Sequence, residues 1–295
     1  MTFLVILSAV LGAIIGSFLS VCIGRIPFHR SVGLVEDLKE YAASENKPVE
    51  EFIPAQALRH QSLSINSPRR SECPTCGQQL LWWHNLPVIS WLLLKGRCAF
   101  CSTPISVRYP LLEVASAGCA ILSLNHFGPS IAALVTFVVC ATFLAIAVID
   151  YDWYIIPNLI SYPGAVISVL LVGANQAFRF LPAPYVSTLT EAALGVLFGA
   201  GFLWVVAFLY KKVRKQDGLG LGDVKLLVMI GALFGPSGAL FTIFGGSVLG
   251  TLGGIFMILV KGRTMAQPLP FGPFLLLAAT VFIFLPQPFN LFPGL

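Results

Sequence analysis

Charge is what this sequence has least of. Asp, Glu, Lys and Arg make up 11% of its 295 residues, 57% are hydrophobic, and the mean hydropathy is +0.85. A chain so apolar is neither a soluble domain nor a disordered segment, and it reads as a membrane protein. The net charge of +5 is no nucleic-acid footprint, because the bases are not interleaved with aromatics in a soluble patch. It reports topology and affinity for anionic membrane lipids instead. The glycine-rich stretch DGLGLGDVKLL at 217–227 lacks a preceding strand and a following Gly-Lys-Ser/Thr. Its aspartate would also repel phosphate, so as a nucleotide cradle the stretch is a weak match. The first apolar segment lacks a basic start and an A-x-A-like cleavage site, so it is read as a retained helix and not a signal peptide.

What is present is a series of apolar segments near the ~20 residues that a crossing helix needs. Eight are placed, at 1–24, 110–127, 129–149, 157–178, 189–210, 223–237, 238–260 and 271–291. The break at 237/238 rests on Gly235-Pro236 and Gly238. Ten Lys/Arg between Arg25 and Arg108, the cluster Lys211, Lys212, Arg214 and Lys215, and the pair Lys261 and Arg263 then share one side. By the positive-inside rule that side is cytoplasmic, with both termini periplasmic; Arg179 is the lone basic residue opposite. The expected fold is an all-α polytopic membrane protein of about eight transmembrane helices, with a small cytoplasmic zinc-ribbon-like domain between helices 1 and 2. Its divisions are the first helix at 1–24, the cytoplasmic domain at 25–109 and the membrane domain at 110–295.

The island at 25–109 opens with EDLKEYAASENKPVEE (36–51), read as a solvated helix and linker broken by Pro48. Its second half carries Cys73, Cys76, Cys98 and Cys101, two C-x-x-C knuckles separated by 21 residues. Each knuckle sets two thiolates on one side of a tight turn, and two knuckles complete a tetrahedron, the pattern of a structural zinc. On the cytoplasmic side thiols stay reduced, which argues against disulfides. Four cysteine ligands leave no open coordination position. His60 and His84 are read as surface or packing residues, and Cys22, Cys119 and Cys140 as small hydrophobes within helices. Between the knuckles, LLWWHNLPVISWLLL (80–94) is too apolar for an exposed loop. It is expected on the membrane surface or against the helix bundle.

Outside the island the only acids are Glu113, Asp150, Asp152, Glu191, Asp217 and Asp223. A charge within the membrane costs about 2.5–3.5 kcal/mol at a helix centre, which makes each a functional candidate. Asp150 ends the third segment and Asp223 begins the sixth, 73 residues apart in sequence and at the same depth. Two carboxylates brought together cannot both ionise easily. One then keeps a proton as general acid while the other activates water. Gly218, Gly220 and Gly222 would let backbone pass close to an extended substrate. Alone, Asp223 could equally be a helix-start residue favoured by the macrodipole and Asp150 an interfacial charge. Asp152 rivals Asp150, and Asp217 looks solvated. A different class, an ion- or proton-coupled transporter using Asp150 and Asp223, would place acids at mid-membrane beside broken helices.

The chain resembles the type IV prepilin peptidases, bacterial inner-membrane GxGD aspartic proteases also called leader peptidase/N-methyltransferases. The likeness is carried by GSFLSVCIGRIP (16–27), the paired knuckles followed by PISVRYPLLE (104–113), IDYDWYIIPN (149–158), GLGLGDVKLL (218–227) and PLPFGPFL (268–275). It implies that Asp150, seven residues before Pro157, and Asp223 are the catalytic pair, with Asp150 preferred over Asp152. It implies an endopeptidase that removes the short basic leader of type IV prepilins and pilin-like type II secretion subunits after a glycine. The resemblance further implies methylation of the new N-terminus by S-adenosylmethionine. Gly96 and Arg97 of KGRC, with Glu113, are the residues it suggests for that step. The polar stretch from about 30 to 70 is longer than expected of the family's shorter members.

Overall fold

The structure is a computed structural model, and it describes residues 2–29, 32, 34–44, 48, 53, 70–215, 220–261 and 269–286. His60, most of the 45–69 stretch, Asp217, Gly218, Arg263 and Pro268 lie outside the described residues. The described chain is helical, with two isolated β-bridges, Glu72 to Gln79 and Arg97 to Pro104. It divides into two compact units, Met1–Ala145 and Ile146–Leu295.

In the first unit, α1 (Thr2–Arg25) packs along α4 (Arg108–Phe127). Gly12 and Gly16 make that approach possible. A Cβ on Gly12 would sit 2.7 Å from the Ala117 Cα, and one on Gly16 would sit 2.6 Å from the Glu113 Cα. Lipid tails are as apolar as leucine, so helices in a bilayer associate through such close backbone packing and not through apolar burial. The opposite face of α1 is an exposed stripe that includes Phe3, Leu7, Ile14 and Phe18. A 3-10 turn, Ile26–Phe28, leads towards α2 (Leu34–Ser44). The cysteine knuckles flank the 3-10 turn Trp82–Asn85 and the short α3 (Ile89–Leu93), and the unit ends within α5 (Ile131–Trp153). The 80–94 segment exposes Trp82, Leu92 and Leu93. Its Val88 N–H is given to Glu113 Oε2 at 2.7 Å. Cys119 of α4 and Cys140 of α5 lie close enough to interact.

The second unit holds the end of α5, α6 (Asn158–Phe178), α7 (Leu189–Arg214), α8 (Leu221–Lys261) and α9 (Gly272–Phe284). α7 starts on a side-chain cap: the Thr188 hydroxyl accepts the Glu191 N–H, and Glu191 Oε2 reaches back to accept the Ser187 N–H. Glu191, one of the scarce acids, is thereby a helix cap. α8 is two helices joined at Gly235, whose φ of 65° and ψ of −167° suit glycine alone. The break falls at Gly235-Pro236 and not at 237/238. The loop N–H of Val186 takes up the carbonyl of Leu233 beside it. Gly195 of α7 lies flush on this break, since a Cβ there would be 2.6 Å from the Gly235 Cα. Leu226, Ile230, Leu233, Leu275 and Ile283 form the buried core of α8 and α9.

Among the described residues, five helices are long and apolar enough to cross a membrane: Thr2–Phe28, Ile131–Trp153, Asn158–Phe178, Leu189–Arg214 and Leu221–Val260. The last has 40 residues, about twice what one crossing needs. α4 is not among them, because Arg108, Glu113, Asn125 and His126 interrupt its apolar character. α9 has 13 residues.

Candidate functional site

The second unit brings three helix ends together. Asp150 lies on the last turn of α5, which stops where Tyr154 turns left-handed (φ 56°) and returns its N–H to the Asp150 carbonyl at 2.8 Å. Pro157 lacks an N–H and opens α6, with the Ile160 and Ser161 N–H groups donating to its carbonyl. Asp223 is the third residue of α8, and its N–H donates to the Gly220 carbonyl at 3.2 Å. Both aspartates are buried, at 6% and 8% exposure, and they are near enough to act on each other's charge. Asp152, two residues from Asp150, is half-buried.

Three glycines frame these carboxylates. A Cβ on Gly222 would lie 3.2 Å from that of Ile156, so the start of α8 presses on the residue before Pro157. Among the described residues, a Cβ on Gly220 would meet nothing nearer than Asp223 Oδ2 at 3.8 Å. The third, Gly272 at the start of α9, is a residue that sequence reasoning missed. Its N–H donates to Asp150 Oδ2 at 3.1 Å, and a Cβ on it would sit 2.6 Å from the same oxygen. The available signal was a glycine before Pro273 at a helix start, where the first N–H groups have no partner within the helix. Lys225, one turn along the α8 start from Leu221, was also missed. Its ammonium donates to Asn158 Oδ1 at 2.7 Å and sits 5.1 Å over the Tyr162 ring, tying α8 to α6.

The first unit gathers the four cysteines, whose sulfur atoms all lie within 4.8 Å of one another. The two knuckles repeat one backbone pattern. Cys73 N–H donates to Gln78 O and Gly77 N–H to Cys73 O; Cys98 N–H donates to Thr103 O and Ser102 N–H to Cys98 O. Gly77 (φ 72°) and Ser102 (φ 59°) turn left-handed at matching positions. The Cys73 to Cys101 sulfur separation is 3.8 Å. That matches the edge of a tetrahedron around a metal bound at about 2.3 Å, so the group can hold a metal ion. The Thr103 side chain and backbone lower the Cys101 thiol to about 6. Against the pull of the Gln78 backbone, burial and the Cys73 and Cys101 thiols push Cys76 up to about 11. A metal held by all four sulfurs would displace whatever protons they still carry.

Beside the cluster, α1, α4 and the knuckles enclose a cavity of about 620 Å³. Glu113, from the resemblance, lines it at 7% exposure. Gly96 and Arg97 do not line it. Gly96 (φ 66°) backs the Trp91 indole, which does line it: a Cβ on Gly96 would lie 2.9 Å from Trp91 Cζ2.

Residues 10–127 match the bacterial peptidase A24 N-terminal domain, and residues 137–255 match the type IV leader peptidase family. The cysteines fall in the first match and both aspartates in the second. A prepilin leader peptidase/N-methyltransferase of Pseudomonas putida is 35% identical over 282 residues, 95% of this chain and 90% of the relative. Proteins of the same description from Burkholderia pseudomallei (strain 1026b) and Neisseria gonorrhoeae are 35% and 32% identical, over 97% and 92% of this chain and 86% and 87% of theirs. No solved structure matches.

Proposed function

The chain belongs to the type IV leader peptidase family, and from that premise we propose that it is a membrane endopeptidase. It cuts the short basic leader from type IV prepilins and pilin-like subunits after a glycine, then methylates the new N-terminus. The observation that carries the reading is the meeting of Asp150 and Asp223 in one buried place, from positions 73 residues apart.

Asp150 and Asp223 are the catalytic dyad. One carboxylate takes a proton from water as it attacks the scissile carbonyl, and the other, protonated, donates to the carbonyl oxygen and then to the departing amine. The Gly272 N–H fixes Asp150 Oδ2, so only the remaining oxygen of Asp150 turns with the reaction. Gly220 leaves room for an extended backbone beside Asp223.

The protein resides in the bacterial inner membrane and crosses it eight times. Leu221–Val260 counts twice, and α4 and α9 each add one crossing to the four remaining long helices. The basic clusters then place the cysteine domain and both aspartates on the cytoplasmic side. A prepilin leader is held there by the same charge rule, so its scissile bond arrives at the depth of the dyad. Cys73, Cys76, Cys98 and Cys101 hold a structural Zn²⁺ as thiolates, which closes the cysteine domain and leaves no position for substrate. The residues that would hold S-adenosylmethionine are Gly96, Arg97 and Glu113, and it would supply the methyl group for the N-terminal amine.

The test is cleavage of a prepilin with a Gly-Phe junction by purified protein in detergent. Wild type cuts, and Asp150→Asn or Asp223→Asn each slow cutting by about 10²–10⁴-fold. A protein that leaves the junction intact, or cuts elsewhere, contradicts the reading.

A further inference from the structure

We infer that residues 81–93 form a membrane-inserted edge of the first unit, with Trp82, Ile89, Leu92 and Leu93 seated among the acyl chains of an anionic phospholipid leaflet. The surface lies wholly within Met1–Ala145, and it is independent of the leader-cleavage reading. Three features point to lipid as the partner: the outward face of α3, the depth of Val88 and the sign of the surrounding charge.

Ser90, Trp91 and Leu94 line the cavity, which fixes the inward side of α3. Ile89, Leu92 and Leu93 stand at i, i+3 and i+4 and share the outward side, where all three are exposed, Leu93 at 70%. Trp82, in the 3-10 turn just before, is 78% exposed. An apolar strip with tryptophan beside it is costly in water and has the composition of a membrane interface. Ile14 and Phe18, from the exposed stripe of α1, line the same cavity as Trp91 and Leu94, so the lipid-facing stripe of α1 runs on to α3.

Depth is set by α1 and α4. A Cβ on Gly16 would lie 2.6 Å from the Glu113 Cα, and Gly16 stands nine residues before Arg25. At 1.5 Å per residue that is about 14 Å along α1 from its basic end, well inside the ~30 Å of hydrocarbon that a spanning helix crosses. A carboxyl at that level needs an internal partner, and the Val88 N–H supplies it at 2.7 Å. Val88 takes a left-handed φ of 61° to do so, which a β-branched residue rarely adopts. The segment is thereby tied at its middle to a point below the helix end. The forty residues from Cys73 to Leu112 hold Lys95, Arg97 and Arg108 and no acid. Lys95, just past α3, is exposed, and its long stem lets the ammonium reach headgroup phosphates while α3 stays among the acyl chains.

The test is fluorescence of full-length protein in nanodiscs whose phosphatidylethanolamine and phosphatidylglycerol carry bromine on their acyl chains. The emission that Trp82→Phe removes is the Trp82 contribution. In wild type, acyl bromine should quench it and aqueous iodide should not. Leu92→Glu combined with Leu93→Glu places charge on the inserted face. The Trp82 contribution should then lose its bromine quenching and gain iodide quenching, while the helical circular dichroism stays that of wild type. Iodide quenching of Trp82 in wild type overturns the inference, as does bromine quenching that the two glutamates leave unchanged. Protection from both quenchers in a dimeric protein also overturns it, and would give the face to a second copy of the chain.

Discussion

The cysteine cluster and the aspartate site are built over different lengths of chain. Each knuckle is closed by hydrogen bonds spanning four or five residues, and the same pair of bonds occurs at Cys73 and at Cys98. The aspartate site has no such local closure. Asp150, Asp223 and Gly272 end or begin three helices and span 122 residues, and what holds them is packing at Gly222 against Ile156 and the Lys225 bond to Asn158. A local site tolerates change elsewhere in the chain, whereas a site made of helix ends inherits every shift of those helices.

The largest expected effect sits in the local site. Cys98→Ser removes one corner of the tetrahedron, and metal binding to such sites is worth about 10–16 kcal/mol. Metal content measured on purified protein should fall to background, and proteolysis should then cut between residues 70 and 107. A variant that keeps its full metal would show that three sulfurs suffice and that the repeat of the knuckles is incidental. Gly272→Ala is the matching lesion in the long-range site. Its methyl would press on Asp150 Oδ2, and misplacing a reacting group by about 1 Å can cost about 10²-fold. Turnover of a prepilin should drop by that order while the helical circular dichroism stays that of wild type. Unchanged turnover would free Asp150 from its dependence on α9. The smallest effect sharpens the contrast: Ser102→Gly relieves a left-handed serine, matching Gly77 in the other knuckle. It should raise the thermal midpoint of the metal-loaded protein by an amount equivalent to about 0.5–1 kcal/mol, and a lowered midpoint would mean that the Ser102 side chain matters more than its backbone.

The same difference in range explains what could be read from sequence. The knuckle spacing encodes its own geometry, so all four cysteines were legible as one cluster. Both aspartates stood out because acids are scarce in apolar helices, but nothing near Asp150 in sequence points to Gly272, and the resemblance, not spacing, separated Asp150 from Asp152. Hydropathy found the long helices. It also joined α4 to them, although Glu113 of α4 faces the cavity and the 80–94 segment. The break in α8 was placed two residues late, because Gly235 alone carries the non-helical turn. His84, read as a surface or packing residue, packs against Trp83 and Phe100, while the burial of its Nε2 without a hydrogen-bond partner has no signature in one dimension.

The pairing of Asp150 with Asp223 is the central claim, and a double-mutant cycle on prepilin cleavage tests it most directly. Single-turnover rates would be compared for wild type, Asp150→Asn, Asp223→Asn and the double variant. Residues that act as one unit are strongly non-additive, so the double variant should be no slower than either single one. Two losses that multiply, or one single variant that cuts at the wild-type rate, would mean that the aspartates act separately and that the dyad does not exist.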